Sequence, residues 1–152
     1  MELYLGLKLV KASLMTREAY NQYRGWALPE DEKHLAKEQG YLVEYLDGGT
    51  ANHPDHKGYI SWSPMNVFSV AYKRSGFLNF SHALELTKQG YRVCRPHWGN
   101  KFLFMMDNVE RVRGRLGLEP NNYLTISGKN TTNRRWDINQ EDVMANDWEI
   151  VQ

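Results

Sequence analysis

The feature that most constrains the fold is the shortness of the apolar segments, most of which are followed directly by Gly, Pro or another turn-forming residue. The segments GYLVEYLDGG, YISWS, KFLFMM and NYLTIS are typical of strands that run into turns. Between them lie brief helix patterns that begin at a capping side chain. The sequence therefore predicts an α+β fold of two small modules, each an antiparallel sheet packed against one or two short helices.

The best boundary between modules is the flexible pair Ser75 and Gly76. We expect an N-terminal α+β module over residues 1–74 and a second module over residues 77–152. A basic, glycine-containing insertion at 109–122 interrupts the second module.

Four helix starts are predicted from capping side chains. A Ser, Thr, Asp or Asn side chain at this position accepts a hydrogen bond from a free backbone N–H. The candidates are Thr16, Ser63, Ser81 and Asn139. The helix after Ser63 should bury Val67, and the helix after Asn139 should bury Met144.

Charge and hydrophobicity exclude several classes of partner. The chain has 19 basic and 18 acidic residues, a net charge of +1, and so lacks the positive field of a general DNA- or RNA-binding protein. No apolar run approaches the ~18 residues that cross a bilayer. The N-terminus alternates apolar and polar residues, unlike a signal peptide, and a single cysteine fits a reducing compartment. We expect a cytoplasmic protein without a membrane partner.

The single cysteine, Cys94, precedes His97 by three residues in GYRVCRPHWGN. Residues three apart in a strand point to opposite faces, so a nucleophile and base pair would require a bend at Pro96. A buried core thiol is the favoured interpretation of Cys94. No catalytic residue is predicted.

Metal and cofactor motifs are not evident in the sequence. One Cys and five scattered His do not supply the usual four zinc ligands. The nearest approach is NHPDH, with His53, Asp55 and His56, for which a solvated loop is the simpler interpretation. Neither a P-loop nor a dinucleotide-binding glycine motif occurs. We expect no metal and no cofactor.

Cations and indole rings cluster in the second half of the chain: Arg92, Arg95, Lys101, Arg134 and Arg135 lie near Trp98 or Trp136. Guanidinium groups suit phosphates, and indole faces suit purines. A stacked base contributes roughly 1–3 kcal/mol to binding. The residues alone leave open whether this group binds a nucleotide or consists of packed tryptophans and solvated arginines.

Two segments of the second module carry a family resemblance. FSHALELTKQGYRVCRPHWGN, residues 80–100, resembles the opening signature of the phage Thoeris anti-defence type two family. WDINQEDVMANDWEI, residues 136–150, resembles its closing signature. The first module resembles a segment common in phage and prophage proteins, for which no activity is assigned.

The resemblance implies a non-enzymatic phage protein in the cytoplasm of the infected bacterium. It would bind cyclic nucleotide immune signals, chiefly a glycocyclic ADP-ribose and for some members cyclic dinucleotides such as cyclic GMP-AMP, and sequester them without cleavage. It would assemble as a homotetramer with pockets between subunits. Two alternatives stay open: a phosphodiesterase-type enzyme that degrades the same signal, and a non-catalytic phage protein-interaction module.

By motif, the resemblance implies six ligand-binding residues: Phe80, Arg95, Trp98, Asn100, Trp136 and Asp142. Arg134, a cation next to Trp136 that is not part of the family pattern, is a seventh candidate from the residues alone. Phe80 and Trp98 would be aromatic walls, Arg95 a phosphate partner and Asn100 a polar contact. Asp142 would either accept from ribose hydroxyls or cap a helix, and Trp136 would either stack or pack. Many relatives have Pro just before this tryptophan, where this chain has arginine; the extra cations favour a larger or more phosphorylated nucleotide.

Overall fold

In the part of the chain that the structure describes, eight strands form two antiparallel sheets. They are seen in a computed structural model that describes residues 2–3, 6–106, 123–129 and 131–151. The chain divides into two units, Met1–Tyr72 and Lys73–Gln152, and each unit has its own sheet and short helices. The predicted α+β class is confirmed, whereas the insertion at 109–122 lies outside the described residues.

The first unit is built on a three-stranded sheet in the order β1–β2–β3. Its strands are β1, Val10–Thr16; β2, Gln39–Tyr45; and β3, Ile60–Pro64. Its helices are α1, Arg17–Tyr23; the 3-10 helix η1, Glu30–Leu35; and α2, Met65–Ala71. Both strand pairs are antiparallel, and β2 and β3, which correspond to the predicted strand segments GYLVEYLDGG and YISWS, pair with each other.

The two α-helices of this unit cover opposite faces of the sheet. Tyr20 of α1 packs with Leu42 and Ile60 in the core. Phe68 of α2 stacks on Tyr41, with ring centroids 4.2 Å apart. Because Tyr41 and Leu42 are consecutive in β2, their side chains point to opposite faces.

Of the predicted caps of these two helices, one is confirmed and the other is wrong. Thr16 caps α1, since its hydroxyl accepts from the Ala19 N–H at 3.2 Å. Ser63 is not the cap of α2: it lies in β3 opposite Tyr41, and the strand ladder continues to Pro64. The predicted apolar face of α2 is also wrong in part, because Val67 is 56% exposed.

The second unit is built on a five-stranded sheet in the order β7–β6–β5–β4–β8. Its strands are β4, Val93–Cys94; β5, Lys101–Met106; β6, Tyr123–Gly128; β7, Thr131–Arg135; and β8, Glu149–Ile150. Its helices are α3, Phe80–Lys88; the 3-10 helix η2, Pro96–Trp98; and α4, Gln140–Met144. β5 is the middle strand, as its apolar sequence predicted. Val93, Leu103 and Ile126 form a buried row across the sheet.

Helix α3 begins at a different residue from the predicted one. Its cap is Asn79, whose side-chain oxygen accepts from the His82 N–H at 3.0 Å, while His82 Nδ1 accepts from the Asn79 N–H at 3.3 Å. Ser81, the predicted cap, donates its hydroxyl to the same Asn79 oxygen at 2.7 Å. An Asn two residues earlier therefore outcompetes the serine, because it satisfies the free N–H of the first turn reciprocally.

Two further predictions for this unit need correction. The strand expected to include both Cys94 and His97 covers only Val93–Cys94, and Pro96, which lacks an N–H, begins η2 instead. Met144, expected to face inward, is 70% exposed. None of the helices in the described ranges has the length and hydrophobicity of a membrane span.

Candidate functional site

Four rings of the second unit meet in an aromatic cluster: Phe80, Trp98, Trp136 and Trp148. Their centroids are 5.2 Å apart for Trp98 and Trp148, 5.6 Å for Phe80 and Trp136, and 6.3 Å for Trp136 and Trp148. The rings are tilted or edge-to-face, the arrangement that aromatic quadrupoles prefer. Trp136 and Trp148 are buried, whereas Phe80 and Trp98 are partly exposed.

Hydrogen bonds to backbone carbonyls hold the three tryptophans of the aromatic cluster, and the start of α3 positions Phe80. Phe80 is the first residue of α3, directly after its cap. The Trp98 N–H donates to the Arg95 carbonyl at 3.0 Å, and the Trp136 N–H to the Leu124 carbonyl at 2.9 Å. The Trp148 indole N–H donates to the Asp142 carbonyl at 3.0 Å. The sheet, η2 and α4 therefore fix the cluster together.

Arg95 lies beside the aromatic cluster and is surrounded by carboxylates. Its Nε and Nη2 donate to the two oxygens of Asp147 at 2.8 and 3.2 Å. Its Nη1 donates to Asp142 Oδ1 at 2.7 Å and to Glu141 Oε1 at 3.4 Å. The residue is only 8% exposed. These four residues, the Arg95 network, direct the guanidinium at the chain's own carboxylates.

Asp142 is occupied on both carboxylate oxygens. Oδ1 accepts from Arg95, and Oδ2 accepts from the side-chain amide of Asn139. The Asp142 N–H donates to Asn139 Oδ1 at 2.8 Å, so Asn139 caps α4 as predicted. Asp142 is thus part of the link between α4 and Arg95; its contact with a ribose stays a prediction.

Hydrogen bonding within the Arg95 network shifts the ionisation of its members. The hydrogen bond from Arg95 holds the pKa of Asp147 below its ordinary value, with a further lowering from the charge of Arg95. The same contact with Asp147 raises the pKa of Arg95. Both shifts favour the charged forms, and the pair stays ionised at neutral pH.

We expect acid to remove the contribution of Asp147 to stability. Because its folded pKa is depressed, that contribution is complete above the ordinary Asp pKa of about 3.9 and is lost as pH falls through the depressed value. The difference in melting temperature between wild type and Asp147→Asn should therefore shrink as pH is lowered from about 6 to about 3. Circular dichroism melts measure it, and a difference independent of pH would contradict this account.

Cys94 is a protonated thiol. Burial, together with the carboxylate of Glu149, raises its pKa to about 11. Its Sγ donates to Glu149 Oε1 at 3.4 Å. Near neutral pH the thiolate needed for nucleophilic attack is therefore scarce, in agreement with the core-thiol interpretation.

Arg134 is an exposed cation on the same face of the sheet as the aromatic cluster. It lies in β7 opposite Ile126, whose side chain is buried. Trp136 follows two residues later, so the two side chains share a face and lie about 7 Å apart along the strand. Arg134 takes no part in the ion pairs of Arg95. Asn100, also exposed, precedes β5.

Sequence reasoning brought some of these residues together and missed others. Phe80, Trp98 and Trp136 were predicted as site residues and do form one cluster. Trp148 lies in the closing signature but was not predicted as a site residue, and Glu141 and Asp147 were not assigned to Arg95, from which they are 46 and 52 residues away. The sequence signal for this ion-pair network was an arginine within a strand segment, together with an acid-rich C-terminal segment.

Comparisons with known proteins match this same part of the chain. The family described as Tad2-like, a Thoeris anti-defense 2-like domain, matches residues 78–151. "Thoeris anti-defense 2" of Bacillus phage SP01 is 31% identical over 84 residues, covering 49% of this chain and 94% of that relative. The matched residues include the aromatic cluster and the Arg95 network.

Proposed function

The chain belongs to the Thoeris anti-defense 2 family through its second unit, and from this premise we propose that it sequesters cyclic nucleotide immune signals without cleaving them. As a phage anti-defence protein it acts inside the host. The proposed ligands are a glycocyclic ADP-ribose and cyclic dinucleotides such as cyclic GMP-AMP. Binding lowers the free concentration of the signal in the bacterial cytoplasm, so the host effector stays inactive.

The observation that carries this proposal is the pair of partly exposed rings beside an exposed cation. Phe80 and Trp98 offer faces for a purine, backed by the buried Trp136 and Trp148. A stacked base contributes roughly 1–3 kcal/mol, so the rings alone support measurable binding. The phosphate then requires a cation with free donors.

Arg134, rather than Arg95, is the better phosphate partner. The Arg95 guanidinium already donates to three carboxylates and is neutralised by them. Arg134 is exposed and shares a face with Trp136. We therefore give Arg95 a positioning role, since its carbonyl holds Trp98 and its side chain holds the loop that carries Trp148.

The surroundings of the aromatic cluster support binding over cleavage. Hydrolysis of a phosphodiester or glycosidic bond requires a positioned acid, base or nucleophile. Asp142 and Asp147 are paired with Arg95, and Cys94 is protonated. This arrangement favours sequestration of the nucleotide over the phosphodiesterase-type alternative.

Self-association is part of the proposal. Ile138 and Met144 are apolar, largely exposed and close in sequence to Trp136. Exposed apolar side chains of this kind support a contact between subunits, as in a homotetramer with pockets between its chains. Analytical ultracentrifugation should give the mass of four chains; the mass of one chain would contradict this part.

Arg134→Gln should weaken nucleotide binding by roughly 10- to 100-fold, the loss of one charged hydrogen bond of about 1.5–3 kcal/mol. Titration calorimetry with glycocyclic ADP-ribose and with cyclic GMP-AMP measures it. Arg92→Gln is the matched control, because the Arg92 guanidinium lies 4.7 Å from the Phe102 ring, on the opposite face of the sheet.

If Arg134→Gln and Arg92→Gln bind the nucleotides with equal affinity, Arg134 is not part of the binding site. If the wild-type protein binds neither nucleotide, sequestration is wrong and the protein-interaction alternative is favoured.

A further inference from the structure

The first unit contains a second polar site, which lies outside the residues matched by the family. Tyr23, at the end of α1, has its hydroxyl 3.0 Å from His56 Nε2. His56 Nδ1 is 3.2 Å from Glu44 Oε2, on β2. The three side chains form a continuous hydrogen-bonded chain, the Tyr23 relay.

Glu44 fixes the direction of the proton in the Tyr23 relay. Its other oxygen, Oε1, accepts from the backbone N–H groups of Lys57 and Gly58 at 3.1 and 3.2 Å. The hydrogen bond from His56, with those from the backbone, lowers the pKa of Glu44. An ionised carboxylate only accepts, so neutral His56 carries its proton on Nδ1 and turns the Nε2 lone pair to the Tyr23 hydroxyl.

The base and the hydroxyl are held in place by their surroundings. The His53 ring stacks on Tyr23 with centroids 4.2 Å apart, and its Nε2 is 3.2 Å from the Tyr23 carbonyl. The side chains of His56 and Glu44 are only 16% and 14% exposed. The two histidines of NHPDH are therefore packed against α1, whereas Asp55 is exposed, so the predicted solvated loop is wrong for His53 and His56.

We propose that Tyr23 is a base-activated nucleophile that accepts acyl groups from uncharged esters. A hydroxyl within hydrogen-bond reach of a base that a third group orients is the recurring arrangement of activated nucleophiles. Glu44 and the exposed Asp55, 3.8 Å from His53, make the surroundings negative, which disfavours phosphate esters and leaves uncharged esters as the fitting class.

The reaction balances without a cofactor. Tyr23 Oη attacks the carbonyl carbon while its proton passes to His56 Nε2. The new bond joins Oη to the acyl carbon, and the bond between that carbon and the ester oxygen breaks. The leaving alkoxide takes the proton from His56, so an ester and tyrosine give acyl-tyrosine and an alcohol. Desolvation, together with the charge of Asp55 and a side-chain hydrogen bond to it, raises the pKa of Tyr23, so the phenol is protonated at neutral pH and needs this base.

The test uses the full chain and p-nitrophenyl acetate. Release of p-nitrophenol is followed by absorbance, and the acetylated residue is located by peptide mass spectrometry. We expect acetyl-Tyr23 to form well before acetylation of Tyr59, which is exposed and serves as the internal control. His56→Gln should slow acetylation of Tyr23 on the order of 100-fold and leave Tyr59 unchanged. Tyr23→Phe, which keeps the ring, should abolish the fast release.

Acetylation of Tyr23 no faster than of Tyr59 would overturn the proposal and leave the relay as a structural link between α1, β2 and the loop after β2. So would an unchanged Tyr23 rate in a folded His56→Gln variant. Glu44→Gln is the second variant, because it keeps the side-chain shape; it should slow acetylation of Tyr23 about tenfold.

Discussion

Arg95→Gln is expected to lower the free energy of unfolding of the protein by about 3–5 kcal/mol, the cost of breaking a buried ion pair by removing one partner. Asp142 is buried and would lose the cation that now lies 2.7 Å from it. Asp147 would lose its paired hydrogen bonds as well. The effect should therefore be on stability first, and on nucleotide binding through the displaced Trp98.

Urea unfolding followed by circular dichroism measures this loss. Arg134→Gln is the matched control, because that arginine is exposed and should change the free energy of unfolding by no more than about 0.5 kcal/mol. The two variants should thus differ in what they lose: Arg95→Gln loses stability, and Arg134→Gln loses affinity for the nucleotide. If Arg95→Gln is as stable as wild type and loses only affinity, Arg95 is a direct phosphate partner and the positioning role is wrong.

Trp148→Ala should be comparably destabilising, by about 3–5 kcal/mol, as expected for removing a large buried ring. Trp148 is fully buried and contacts the rings of Phe80, Trp98 and Trp136. Its removal leaves a cavity in the aromatic cluster and also leaves the Asp142 carbonyl without its indole donor.

The matched control for this variant is Trp26→Ala in the first unit. Trp26 is exposed. Its ring lies edge-to-face with Tyr20, with centroids 6.3 Å apart, and the Arg24 guanidinium lies 4.3 Å from its centroid. Its removal should cost less than about 1 kcal/mol. Thermal melts by circular dichroism compare the two; equal losses would mean that the aromatic cluster does not form the core of the second unit.

Local signals predicted the fold well where the chemistry is local. Thr16 and Asn139 cap their helices because each side chain reaches an N–H three residues ahead. The prediction that Ser63 caps α2 was wrong because the pairing of β3 with β2 extends over this residue. Its neighbours in sequence do not reveal that contact. The prediction that Ser81 caps α3 was wrong because Asn79 is the stronger cap.

The candidate site was predictable only in part. The family resemblance pointed to Phe80, Trp98 and Trp136, and the structure brings these rings together. It also pointed to Arg95 and Asp142 as separate ligand contacts, whereas they bond to each other across 47 residues of sequence. Pairing between distant charged residues leaves no periodic trace, so only the folded chain shows that the donors of Arg95 are already occupied.

The Tyr23 relay illustrates the same limit. Tyr23 and His56 are 33 residues apart, and the sequence around His56 is that of an ordinary polar loop. Their hydrogen bond depends on the end of α1 lying against the connection between β2 and β3. No spacing rule within one segment would have joined them.

The most direct test of sequestration without cleavage is to recover the ligand. The protein is incubated with glycocyclic ADP-ribose, separated from free nucleotide by gel filtration and denatured by heat, and the released material is analysed by chromatography and mass spectrometry. We expect the nucleotide to travel with the protein and to be released chemically intact. Recovery of linear or otherwise cleaved products would show that the protein is an enzyme, and failure of the nucleotide to travel with it would show that this signal is not its ligand.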